Sequence, residues 1–402
     1  MDSGRMVVED ASRRAARPGS GSPSALRRAN TERLVAVLRY RGPSTQASLA
    51  RATGLSPATV SNLVRMLAEN GQVVTGTTTA NGRRAVEVSL AEQHRSVAAG
   101  IDVGRRHVRL LLVAGDGEVL AESFEGLPVG HSLQACFALV DELLDRALAE
   151  VPLERADLVG AGVGIPGPID ARTGLVGHAA LLPEWVGLHV RQALEDHLQL
   201  PVTVDNDANL GALAEARWGA HAGVPDLAYV KVASGIGAGL ILGGQLHRGH
   251  IGITGEIGHL QVSPFGQVCR CGNRGCLETV AAVPTLLAGL EASVGRTPRT
   301  SELLHLVQSG DLAALRVLED AGLVLGQVLG GLCNLLNPAV IVLGGPLMPV
   351  GDLLLAAVRR GLERATTPVV AAATTVTLES LGARAEALGA AAVAHAAERV
   401  RR

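Results

Sequence analysis

Aromatic side chains are scarce in this chain of 402 residues, where Phe, Trp and Tyr together make up 2%. Lysine is scarcer still: Lys231 is the single one among 36 basic residues. The first shortage means that a core must be built from Ala, Val and Leu, which at 47% hydrophobic content suffices for a sizeable α/β protein. The second reads as codon bias toward Arg as much as function. Long apolar runs are missing too; none approaches the ~18 residues that a membrane span needs, and no signal-peptide core opens the chain. A cytoplasmic protein without membrane contact is expected. Five cysteines in such a length suit a reducing compartment, with Cys136 and Cys333 as buried thiols.

What is present is unevenly distributed. Residues 1–95 carry 14 Arg against 7 Asp plus Glu, whereas the remainder carries 22 basic against 31 acidic residues, behind a net charge of −2. A basic front on an acidic body points to a nucleic-acid-binding module joined to something else, and the length itself asks for two or three domains. Residues 1–24 mix Arg, Ser, Gly and Pro without periodicity and are expected to form a disordered basic arm. Residues 25–91 then fit a winged helix-turn-helix. Leu34, Val35, Val37 and Leu38 make one helical face; 44–52 forms a second helix; Gly54 and Leu55 turn; Ser56 caps a third helix through Glu69. That third helix opens with small polar residues, Ser56, Thr59, Ser61 and Asn62, followed by Arg65. Short side chains let a helix enter the major groove, where Asn and Arg reach base edges. Two alternating strands around Asn81-Gly82 form a hairpin with Arg83 and Arg84 at its turn, which reads as a basic wing on DNA phosphates. A protein-interaction module of the same shape is the competing expectation.

The densest chemistry lies between Gly255 and Glu278, GEIGHLQVSPFGQVCRCGNRGCLE. His259, Cys269, Cys271 and Cys276 are four N/S ligands inside eighteen residues, with glycines that let the backbone reverse around an ion. Structural zinc is the expectation, against three free thiols beside an unrelated histidine. A Cys269–Cys271 disulfide is disfavoured because their side chains leave an extended segment on opposite faces. A ligating His259 keeps one ring nitrogen for a hydroxyl, and Glu256 and Glu278 beside it would complete a polyol-binding pocket.

The run EIGH followed by CxCGxxGCxE resembles the signature of the ROK family, bacterial sugar kinases and sugar-responsive repressors; with its N-terminal module the chain is similar to the branch of the xylose and N-acetylglucosamine repressors. The resemblance implies an α/β fold: an N-terminal winged helix-turn-helix followed by a two-lobed, actin-like ATPase body of the sugar-kinase type with a zinc knot. One lobe would run over 96–205, completed by a C-terminal helix at 385–402, and the other over 206–384. It implies a sugar held by Asn206, Asp207, Glu256, His259 and Glu278, with Asp207 as the catalytic base if the chain is a kinase. Two loops correspond to the family's phosphate loops. Ser234, Gly235 and Gly237 largely keep the pattern, whereas Asp102-Val-Gly104 is followed by Arg105 and Arg106 where Gly and Thr would stand. Bulky side chains there obstruct the backbone approach that a phosphate needs, so ATP is not expected; the alternative is an ATP loop decorated with arginines. Leu181 replaces a family asparagine near Trp185. The function implied is a sugar-responsive repressor that binds palindromic operator DNA as a homodimer or homotetramer. An ATP-dependent sugar kinase carrying a DNA-binding module is the alternative.

Overall fold

The computed structural model describes residues 30–31, 33–35, 37–38, 42–69, 72–80, 83–90, 96–170, 174–176 and 185–401. The arm expected at 1–24, the Asn81-Gly82 turn, the Arg83 side chain, residues 91–95 and Leu181 lie outside the described residues. The chain divides into two compact units, one ending at His94 and one beginning at Arg95.

In the first unit, the described residues of 30–38 are helical and bury Leu34 and Leu38. Helix Gln46–Thr53 begins where the Thr45 hydroxyl accepts the Ser48 N–H at 3.2 Å and stops at Gly54, in left-handed conformation at φ 67°. Helix Pro57–Glu69 follows at once; the Ser56 hydroxyl accepts the Thr59 N–H at 3.1 Å, and Pro57 spends no donor in the first turn. Val60, Leu63, Val64 and Leu67 recur on one face and are buried with Leu49, Val73 and Val88. Strands Val73–Ala80 and Arg83–Leu90 pair antiparallel from Val73↔Leu90 to Ala80↔Arg83. A two-residue strand, Ser44–Thr45, adds a third member against Val88 and Glu87. It was not expected, because two residues carry no alternation.

The second unit contains two five-stranded sheets with the same plan. In the first, Val97–Val103 pairs antiparallel with His107–Ala114, which pairs with Val119–Gly126; on its other side run Leu158–Ile165 and then Val202–Asn206, both parallel. In the second, Leu227–Val232 pairs antiparallel with Ile236–Leu242 and through it Gln245–Leu246; Val340–Gly344 and Thr375–Leu378 follow in parallel. Each sheet therefore turns a tight hairpin after its central strand.

Helix Ala385–Arg401 packs on Val97–Val103 and Leu158–Ile165 of the first sheet. The contact is close because the strands carry Gly100 and Gly162 there: a Cβ at either would overlap the Ala387 or Ala390 carbonyl. Helix Asp207–Trp218 lies against that helix on one side and against strands Leu227–Val232 and Ile236–Leu242 on the other, so it joins the two sheets. After the cysteine-rich segment the chain forms three short helices rather than one: Glu278–Ala281, Val283–Gly289 and Glu291–Val294. Pro284 sits in the first turn of the second, Ala282 before it is extended, and the Val283 N–H is drawn off to the Ala233 carbonyl at 3.0 Å. Helix Pro368–Ala373 was not foreseen either, since its six small and β-branched residues show no amphipathic period. No helix among the described residues is long and apolar enough to cross a membrane.

Candidate functional site

A cleft of about 1120 Å³ opens in the second unit, lined by residues of both sheets and of the Gly255–Glu278 segment. Asn206 ends the edge strand of the first sheet and caps helix Asp207–Trp218, its Oδ1 accepting the N–H groups of Ala208 at 2.9 Å and Asn209 at 3.3 Å. Its Nδ2 donates to the Gly167 carbonyl at 3.0 Å. The cap is thus Asn206, not the neighbouring Asp205, which binds Arg248 at 2.6 Å and Asn209 at 2.9 Å. Freed from capping, Asp207 turns Oδ2 to the ammonium of Lys231 at 3.0 Å. The same ammonium lies 2.9 Å from Glu386 Oε1, on the C-terminal helix.

Asn206, Asp207, Glu256, His259 and Glu278 all line this one cleft. Glu256 is only partly exposed; burial, together with the nearby carboxylates of Asp207 and Glu278, pushes its pKa up to about 7 against the pull of Arg270. His259 sits between two environments, with Nε2 3.8 Å from Glu256 Oε2 and Nδ1 3.6 Å from Cys269 Sγ. Glu278 is clamped: Arg270 Nε donates to Oε1 at 2.8 Å, and the Ile236 N–H donates to Oε2 at 3.3 Å. Arg270 also reaches the Ser234 carbonyl at 3.3 Å, which links the cysteine-rich segment to the second glycine loop.

The ligand atoms of His259, Cys269, Cys271 and Cys276 all lie within 4.8 Å of one another. Cys271 and Cys276 have their sulfurs 3.7 Å apart, close to the ~3.8 Å edge of a tetrahedron with metal–sulfur bonds of ~2.3 Å. All three are free thiols, so no disulfide competes. The knot closes through the bridges Gln261↔Cys276 and Val268↔Arg274, and Gly275 at φ 67° passes so close to Ser263 that a Cβ would overlap its carbonyl. A His/Cys3 set of this geometry can hold a metal ion.

The two hairpin turns differ. After Val97–Val103, His107 folds back: its Nε2 bonds Asp102 Oδ2 at 2.9 Å and its ring covers Gly104, where a Cβ would overlap it. Arg105 and Arg106 line the cleft beside it; burial, then Arg270 and Arg106, lowers the pKa of Arg105. Asp102 is buried, which opposes its charge, but Lys231, His107 and Arg109 outweigh this and bring its pKa to about 2. Ser234, Gly235 and Gly237, at the turn of the second sheet, also line the cleft.

In the first unit Ser56, Asn62, Arg65 and Arg84 are exposed, and Thr59 and Ser61 half-buried. The Ser56 and Thr59 hydroxyls bond each other at 2.8 Å, so these two are engaged in the helix cap, whereas Asn62 and Arg65 stand one turn apart with no such partner in that cap. Lys231, Arg270, His107 and Glu386 were missed in the sequence. Only Lys231 had given a signal: one lysine retained where every other cation is arginine or histidine.

A model of the ROK family matches residues 98–397, and one of winged helix-turn-helix DNA-binding domains matches residues 27–74. The putative xylose repressor of Caldicellulosiruptor sp. (strain Rt8B.4) is 30% identical over 341 residues, covering 81% of this chain and 85% of that protein. A glucokinase of Halalkalibacterium halodurans is 32% identical over 309 residues, covering 72% of this chain and 92% of its own length. Among solved structures, a ROK family transcriptional regulator described as a homologue of the Escherichia coli Mlc protein superposes with a TM-score of 0.73 at 23% identity, over 93% of this chain and 97% of its own, which shows the shared fold. The chain therefore belongs to the ROK family, with an N-terminal winged helix-turn-helix joined to a two-lobed, actin-like body.

Proposed function

We propose that the chain is a sugar-responsive, DNA-binding transcriptional repressor, working in the cytoplasm where the DNA is. One observation carries this: a helix that presents Asn62 and Arg65 outward belongs to the same chain as a cleft lined by Asn206, Asp207, Glu256, His259 and Glu278. Carboxylates, an amide and an imidazole are the acceptors and donors that a polyhydroxylated ligand requires, and leaving a buried one unpaired costs about 1–3 kcal/mol. The relative named a putative xylose repressor, matched along most of both chains, supports the assignment.

In this account the exposed Asn62 and Arg65 read base edges in the major groove, with Ser56, Thr59, Ser61, Arg83 and Arg84 nearer the backbone. Pairing into a homodimer or homotetramer gives two recognition helices for a palindromic operator. The sugar acts by binding one arrangement of the two lobes better than the other, and linkage makes DNA and sugar weaken each other's binding by the same factor. Zinc is the metal that the His/Cys3 set suits, and its role is structural: it holds the segment that carries Glu256, His259, Arg270 and Glu278 in register with the second glycine loop.

The test is release. The full chain is bound to a site selected from random-sequence DNA and titrated with pentoses, hexoses and amino sugars under fluorescence anisotropy. Displacement by one sugar class is expected; indifference to all of them contradicts an effector role for the cleft. The second reading, a sugar kinase, has Asp207, the Ser234–Gly237 loop and the glucokinase relative in its favour. His107 over Gly104 and the engagement of Asp207 by Lys231 weigh against it.

A further inference from the structure

Lys231 stands on the central strand of the second sheet, Leu227–Val232, and its side chain is 13% exposed. Three carboxylates from three separate elements surround it. Asp207 opens the helix between the sheets, Glu386 begins the C-terminal helix, and Asp102 ends the central strand of the first sheet. All three belong to the cleft wall. The ammonium has three N–H donors and directs two at Asp207 and Glu386. Asp102 is 3% exposed in its side chain, and one of its oxygens is bound by His107; the other, Oδ1, is buried with no hydrogen-bond partner among the described residues.

Three carboxylates gathered at one place, Asp102 and Glu386 buried and Asp207 half-buried, repel one another unless positive charge stands among them. Carboxylates converging from several elements are what a hard divalent cation gathers, and in phosphoryl transfer such a cation bridges the carboxylates and the nucleotide. Here a fixed ammonium already stands at that point. Burial works against its charge, but Asp207, Glu386 and Asp102 outweigh burial and raise its pKa. An arginine would not serve equally: its planar fork is broader and places its donors along one edge, whereas an ammonium is a compact point charge. A chain that uses arginine at every other long-chain cationic position keeps lysine here.

We propose that Lys231 is a built-in counter-cation, a positioning residue that takes the place of a divalent ion in the cleft, holds Asp207 in place as an acceptor for a ligand hydroxyl, and restricts the site to sugars bound without metal or nucleotide. The inference deepens the effector assignment and rests on it for the identity of the ligand class. The counter-cation role itself is tested without any sugar.

The experiment uses the full, zinc-loaded chain and follows free Mn2+ by electron paramagnetic resonance, with and without ATP. Wild type is expected to leave the Mn2+ signal as it is in the matching protein-free sample. Lys231→Met keeps the apolar stem and removes the charge; it is expected to withdraw a single equivalent of Mn2+, and the double variant with Asp207→Asn to lose that binding. Lys231→Met should also melt at a higher temperature with Mn2+ than without, while wild type shows no such shift. Folding of Lys231→Met only in the presence of Mn2+ supports the proposal equally. Mn2+ binding by wild type that Asp207→Asn removes would overturn it. So would a Lys231→Met protein that ignores Mn2+, or one that fails to fold even with the ion. If the Mn2+ results hold but no sugar displaces DNA, the effector assignment fails and the counter-cation stands.

Discussion

The two hairpin turns that line the cleft occupy the same place in two sheets of the same plan, yet they present different surfaces. In the second sheet the turn keeps Gly235 and Gly237, and the carboxylate of Glu278 closes over Gly235 so tightly that a Cβ there would overlap it. In the first, His107 covers Gly104 and arginines follow it. The difference teaches that one strand plan accommodates two unlike turns. Strand pairing rests on the ladder hydrogen bonds and on buried Val, Leu and Ala, to which each turn adds a closing backbone bond, Gly104 N–H to the His107 carbonyl and Ala233 N–H to the Gly235 carbonyl, both at 2.9 Å. The second turn keeps its form because it is tied to the cysteine knot through Arg270 and Glu278.

That tie gives the largest expected effect. Cys271→Ser removes one of four ligands, so metal content measured by emission spectroscopy should fall below one ion per chain, and sugar response should be lost while DNA affinity persists. Full response in the metal-depleted variant would show that the second turn holds itself. Next in size is the cleft floor. Glu256→Ala should weaken sugar binding by about 1–3 kcal/mol, roughly 5- to 150-fold by calorimetry, because hydroxyls it served are left unpaired. Asp207→Asn keeps the shape and one acceptor oxygen, so its loss should be smaller. Equal losses would put the ligand nearer the first turn than the second.

The smallest effects sharpen the comparison between packing and open surface. Gly162→Ala would drive a Cβ into the Ala390 carbonyl and should destabilise by about 1–3 kcal/mol in denaturant titration. Gly331→Ala, in helix Leu312–Leu336, meets nothing within 4 Å and should stabilise by up to ~1 kcal/mol through helix propensity. A loss at Gly331 would mean that another chain covers that helix face.

How much of this was legible in the sequence follows from distance along the chain. The cysteine knot and the helix-turn-helix are local: ligands within eighteen residues and caps within three show themselves as spacing. Helix breaks were less visible, since the one after Ala281 depends on the Val283 N–H finding the Ala233 carbonyl some fifty positions away. The ammonium cluster was hidden altogether, because Asp102, Lys231 and Glu386 come from three distant stretches and meet only when the helix Ala385–Arg401 lies on the first sheet. The lone lysine marked the place, but composition alone assigned it to codon usage. The residues expected to hold a sugar, which line one cleft, lay close to the knot or to the Asp205–Asp207 corner, where a strand end and helix start are readable.

The central claim is that this cleft binds a sugar to control DNA rather than to phosphorylate it. The direct measurement puts the DNA-bound chain, Mg2+–ATP and the releasing sugar in one sample and follows anisotropy together with coupled ADP production. Release of DNA with ADP no faster than in the protein-free control is the predicted result. ADP production at the ordinary kinase rate of about 1–100 per second, abolished by Asp207→Asn, would contradict it.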